Sequence, residues 1–61
     1  SAETSLIKLA DSGNQSVRAD AAHYLSLVDS DKSRETLHQL LGDSSEEVRE
    51  IAGESLEALS A

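Results

Sequence analysis

Sixty-one residues with five Lys and Arg against twelve Asp and Glu, a net charge of -7 at pH 7, make at most one small domain, which we expect to span 1–61. That charge repels DNA, RNA and anionic membrane surfaces, whose binding rests on clustered Lys and Arg. No apolar run approaches the roughly 18 residues needed to cross a bilayer, no signal-peptide pattern is present, and with no Cys there is neither a disulfide framework nor a cysteine metal site.

Four amphipathic helices follow in chain order, near 3–11, 15–28, 32–41 and 46–59. The first carries Leu6 and Leu9 and ends before Gly13 and Asn14, with Asn14 placed to cap the second. The second sets Val17, Ala21 and Leu25 on one stripe. Asp29, Ser30 and Asp31 then break the pattern and offer an N-cap to the third helix, whose stripe is Leu37, Leu40 and Leu41. Gly42 suits a helix C-terminus in the left-handed conformation, and Ser45 suits the next N-cap, with Glu46 and Glu47 in the positive first turn. The last helix sets Val48, Ile51, Ala52, Ser55, Leu56 and Leu59 on one stripe, with Leu59, like Ile7, expected to stay partly exposed at an unfinished end of the stack. Gly53 inside it costs about 1 kcal/mol relative to Ala, which predicts a close neighbouring helix there.

Aligning position 5 with position 36 gives a period of 31 residues. Leu6, Leu9, Val17, Arg18, Ala21 and Leu25 then coincide with Leu37, Leu40, Val48, Arg49, Ala52 and Leu56. A fixed period of this length marks a stacked supersecondary unit, here about 3–29 and about 32–60. The fold class expected is all-α: two helical hairpins stacked as a short α-solenoid. Leu6, Leu9, Val17, Ala21, Leu25, Leu37, Leu40, Val48, Ala52 and Leu56 are its predicted core. The aliphatic side chains are few, and Tyr24 is the one aromatic, so the core is thin.

"SVRADAAHYL" and "EVREIAGESL", each behind a short polar turn, resemble the second helix of HEAT repeats. The segment "TLHQLLGDSSEEVREIAGESLEAL" is similar to the short HEAT-like variety named after phycobilisome lyases, and the resemblance covers nearly all of 5–59. It implies a helical-repeat fold and a ladder of contacts between turn Asp and helix Arg. Asp43 lies where it could reach either Arg49 or Arg18. Asp11 sits one position out of the register of Asp43, so the first unit departs from the pattern. An anion-binding role for Arg18 and Arg49 is disfavoured by the Asp and Glu around both, which leaves a structural turn–helix role for Arg18, Arg49 and Asp43.

Two spacings invite a metal, Asp20-x-x-His23 and Glu35-x-x-His38, because paired Glu-x-x-His helices bind di-iron in four-helix bundles. Glu3 and Glu54, the other acids available, have no motif around them, and Asp20 and His23 fall opposite the apolar stripe. No Ser lies in a Gly-x-Ser-x-Gly context and no Gly-rich phosphate loop exists. Catalytic residues, cofactor and metal are therefore all expected to be none. Asn14-Gln15-Ser16 matches a glycosylation acceptor, but Asn14 is accounted for as a cap.

Glu46, Glu50, Glu54 and Glu57 run along one face of the last helix. Like charges at i and i+4 cost roughly 0.2–0.5 kcal/mol per pair, so the stripe reads either as a solvated surface or as a docking face for a basic segment of another protein. The function expected is a non-enzymatic repeat scaffold or protein-interaction module in the cytoplasm, within a longer array or completed by a partner. One hairpin cannot bury its stripe alone, and exposed ends invite self-association. The alternatives are a fragment or subunit of a bilin lyase-type HEAT-like enzyme, which the resemblance suggests, and a small helical metal protein. The initial Ser, in place of Met, suggests an excised or processed piece.

Overall fold

A computed structural model describes residues 2–60. It contains α1 (Ala2–Leu9), α2 (Gln15–Leu25), α3 (Asp31–Leu40) and α4 (Glu46–Ser60), and no strand among the described residues. α1 pairs with α2, and α3 with α4. The two hairpins meet mainly through α2 against α4, with α3 touching both α1 and α2, while α1 does not reach α4. Among the described residues no helix is long and apolar enough to cross a membrane.

Helices α2, α3 and α4 each start where a short polar side chain takes up orphan N–H groups. Asn14 Oδ1 accepts from the N–H groups of Ser16 and Val17 at 2.9 and 3.3 Å. Ser30 and Ser33 cap α3 reciprocally, each hydroxyl accepting from the other's N–H, at 3.0 and 2.9 Å. The Ser45 hydroxyl accepts from the Val48 N–H at 3.4 Å. The ends differ from expectation. Gly42 does not adopt positive φ, because α3 closes by tightening: Gly42 N–H donates to Gln39 O and Asp43 N–H to Leu40 O, both at 3.1 Å. The same three-residue turns cut α2 short of Val28, through Ser26, Leu27 and Val28 N–H onto His23, Tyr24 and Leu25 O. The left-handed residue is instead Asp29, at φ 46°, a conformation that short polar side chains tolerate. Its carboxylate is gripped by Arg34 Nη2 at 2.7 Å.

Leu25, Leu37 and Val48 are the largest fully buried apolar side chains, surrounded by Ala10, Ala19, Ala21, Ala22, Leu40 and Ala52. Leu6, Ile7, Ile51, Leu56 and Leu59 pack against them half-buried. Alanine therefore supplies most of this core, which brings the backbones of α2 and α4 close: the Ser55 hydroxyl donates to Ala22 O across that contact at 3.0 Å. Of the predicted core, Leu9 is overturned, since it is 46% exposed at the outer end of the stack where no helix covers it. Leu6, Val17 and Leu56 are only half-buried. Gly53 is not enforced by a close helix either. A Cβ there would meet only Leu41 Cδ2, at 3.8 Å, an ordinary contact.

Candidate functional site

The densest polar arrangement lies where the two hairpins' turns meet. Arg18, on the first turn of α2, donates from Nε and Nη2 to the two carboxylate oxygens of Asp43, at 2.9 and 3.1 Å, and from Nη1 to Ser12 O at 2.9 Å. Asp43 Oδ2 also accepts the Ser45 N–H at 2.9 Å. Both side chains are largely covered, at 15% and 11% exposure. The Arg18 hydrogen bonds, then that from Ser45, hold the Asp43 carboxyl below its ordinary value against a smaller opposing effect of burial. Asp43 is thus ionised and fully engaged, which fits a structural tie and not a general base.

Arg49 makes no such tie. Its Nη1 donates to the Asp43 carbonyl at 2.6 Å, and its side chain is exposed. That contact repeats Arg18 Nη1 on Ser12 O, 31 residues earlier. Ser12 Oγ likewise accepts the Asn14 N–H at 3.1 Å, as Asp43 Oδ2 accepts that of Ser45. The period therefore extends to the turn hydrogen bonds, with Ser12 holding the place of Asp43. Asp11 is exposed beside it and forms no ion pair among the described residues.

Glu46, Glu50, Glu54 and Glu57 are all exposed on α4. Among the described residues none of them lies within ion-pair distance of a Lys or Arg; the two ion pairs found are Arg18–Asp43 and Arg34–Asp29. Glu47, beside this stripe, accepts from Gln15 Nε2 at 3.3 Å. Asp20, His23, Glu35 and His38 are exposed, and Glu3 accepts the Ser30 hydroxyl, tying α1 to the turn between the hairpins. Among the described residues no three His, Asp or Glu side chains gather closely enough to hold a metal ion.

Two open grooves flank the hairpin contact. One, of about 700 Å³, runs between α1 and α3 past Ile7, Ala10, Thr36 and Leu40 to the Arg18–Asp43 tie. The other, of about 470 Å³, runs between α2 and α4 over Ala19, Ile51 and Ser55, with Asp20, His23 and Glu54 at its rim. Sequence reasoning passed over the roles of Ser12, Ser55 and Arg34. Ser12 had a usable signal, since it lies one period from Asp43. Ser55 and Arg34 act on backbone carbonyls, of Ala22 and Leu59, which no side-chain pattern announces.

Compared with known proteins, residues 3–61 match the family model of the HEAT repeats. No curated protein and no solved structure matches the chain.

Proposed function

Because the chain belongs to the HEAT repeat family, we propose that it is a non-enzymatic scaffold that binds another protein, as part of a longer array or as a module completed by its partner. The surface offered to that protein is the outer face of α4, and the segment that docks there is basic. One observation carries this reading: Glu46, Glu50, Glu54 and Glu57 stand exposed together, with no Lys or Arg within ion-pair distance among the described residues. Such spacing costs helix stability through like-charge repulsion, so an opposite charge from outside relieves a strain already built into the helix. The engagement of Asp43 and Arg18 in a structural tie adds support, because it withdraws the one carboxylate with a shifted pKa from any chemistry.

The test is a titration with a Lys- and Arg-rich peptide, followed by calorimetry at low and high salt. Binding should weaken steeply with salt, since exposed charges are screened over about 10 Å at 0.1 M ionic strength. The Glu50→Gln, Glu54→Gln double variant should bind more weakly while unfolding no earlier than the parent chain. Equal binding by parent and variant would remove the α4 face from consideration and leave it as solvated surface.

A further inference from the structure

The groove between α2 and α4 gathers three side chains that the fold does not use. Tyr24 lines it and is 52% exposed, although it is the one aromatic residue of the chain. A buried tyrosine removes about 150–250 Å² from water, so leaving this ring half in solvent forgoes stabilisation in a thin core. The ring meets that of His23 edge to face, with centroids 5.4 Å apart and planes at 68°, a contact that restrains it beside the groove. Asp20, one helical turn before Tyr24 on α2, and Glu54, on α4, stand exposed at the rim. Neither lies within ion-pair distance of a Lys, Arg or His among the described residues.

The floor beneath these groups is Ala19 and Ser55, both buried, and the half-buried Ile51. The Ser55 hydroxyl already donates its proton to Ala22 O, so the floor presents mainly methyl and methylene surface. At about 470 Å³ the groove is within the range of clefts that hold ligands, roughly 300–1,000 Å³. Its occupant must bring an apolar stem for the floor, a flat face for the ring and positive charge for two carboxylates. Arginine combines all three. Its planar guanidinium stacks on aromatic faces, forks onto carboxylates, and is more weakly hydrated than an ammonium, so it leaves water at lower cost. Lysine supplies the stem and the charge but no plane.

We propose that this groove is the anchor point for an arginine side chain of the basic segment that docks on α4. This deepens the scaffold reading and rests on it. The arginine stem lies over Ala19 and Ile51, and the guanidinium stacks on Tyr24 and donates to Asp20 and Glu54. Glu54 belongs both to the groove and to the α4 stripe, so the anchor sits at the edge of the acidic face. Neighbouring cations of the same segment reach the remaining glutamates.

Octa-arginine and octa-lysine, peptides of equal charge, make the test by calorimetry on the full chain. The parent should bind octa-arginine tighter by about two- to five-fold, the contribution of one exposed cation–π contact. Because Tyr24 is the one aromatic residue, its fluorescence reports on the groove, and saturating octa-arginine should lower its quenching by acrylamide. Tyr24→Leu, which keeps apolar bulk, should bring octa-arginine down to the affinity of octa-lysine, whereas Tyr24→Phe should keep the preference. Asp20→Asn, on the exposed rim, should shrink the preference with the fold intact by circular dichroism. Glu46→Gln with Glu57→Gln should weaken both peptides alike. Equal affinity for the two peptides on the parent, or an arginine preference that survives Tyr24→Leu and Asp20→Asn, overturns the anchor. If Glu50→Gln, Glu54→Gln still weakens binding in that case, the acidic face stands and the groove alone falls. If neither peptide binds the parent, both fall.

Discussion

Replacing Asp43 by Asn isolates the charged tie between the hairpins with little change of shape. The amide keeps one oxygen, enough for the Ser45 N–H now at 2.9 Å. Its NH2 then faces the guanidinium of Arg18, where the carboxylate accepts two N–H groups at 2.9 and 3.1 Å. A hydrogen bond to a charged group contributes about 1.5–3 kcal/mol, and a fully exposed ion pair about 0–1 kcal/mol. With Arg18 and Asp43 at 15% and 11% exposure, and water able to reach the rim, Asp43→Asn should cost about 1–2 kcal/mol at neutral pH. A chain of this length holds only about 3–9 kcal/mol in all, and at a urea slope of about 1 kcal/mol/M the midpoint should fall by roughly 1–2 M. The pH dependence gives a second check. The folded-state pKa of Asp43 is lowered, first by the Arg18 hydrogen bonds and then by that from Ser45. Its contribution is therefore complete above the ordinary carboxylate pKa and is lost as pH falls through the lower folded value. The gap between parent and variant should stay constant at neutral pH and close in acid. Coincident urea midpoints at neutral pH, or a gap that persists undiminished into acid, would refute the assignment of this tie as a stabilising contact.

Gly53→Ala should stabilise by about 1 kcal/mol, read as a higher midpoint in urea or heat, because helix propensity improves and the added Cβ meets Leu41 Cδ2 at an ordinary 3.8 Å. Asp29→Ala should destabilise by about 1 kcal/mol or less by the same measurement, because alanine at the left-handed φ of 46° lacks the short polar side chain that tolerates it and the exposed contact to Arg34. Asp29→Gly, free of that strain but lacking the Arg34 contact at 2.7 Å, should cost less than Asp29→Ala.

The helical order and the pairing into hairpins were legible because they rest on apolar spacing and on Ser and Asn at helix starts, both local in sequence. Helix ends were less legible. Gly42 suggested a left-handed stop, yet three-residue turns satisfied the last carbonyls without one, and the left-handed position fell to Asp29, whose carboxylate accepts from Arg34. Burial was misjudged where hydrophobicity stood in for position: Leu9 and Leu41 are exposed, while Ser33 and Thr36 are inside along with Ser55, which the stripe of the last helix did include. Those small polar side chains fit a core whose helices approach over alanine, and Ser33 and Ser55 donate to the backbone oxygens of Ser30 and Ala22. At the candidate site, the exposure of the glutamates follows from their spacing opposite Val48 and Ala52. That Asp43 is bound by Arg18 through its side chain, while Arg49 takes only its carbonyl, depends on how two hairpins stack, and single-chain spacing left both open.

The places where the two copies diverge follow from the same stacking. Leu6 and Leu37, Ala21 and Ala52, or Leu25 and Leu56 match in type, although Leu37 and Leu25 are fully buried and Leu6 and Leu56 only half-buried. Ala19 and Glu50 occupy equivalent positions whose surroundings differ, since Ala19 is buried beside the second hairpin while Glu50 is exposed. A side chain at the centre of the hairpin contact must be small enough for α2 and α4 to approach, as Ala19, Ala22 and Ser55 are. An outer face sets no such limit, and its residue types instead reflect whatever meets it. Glutamate at 50 meets water or a cation, whereas leucine at 9 gains from leaving water. The duplication therefore builds the core, and the departures from it distinguish one end of the molecule from the other.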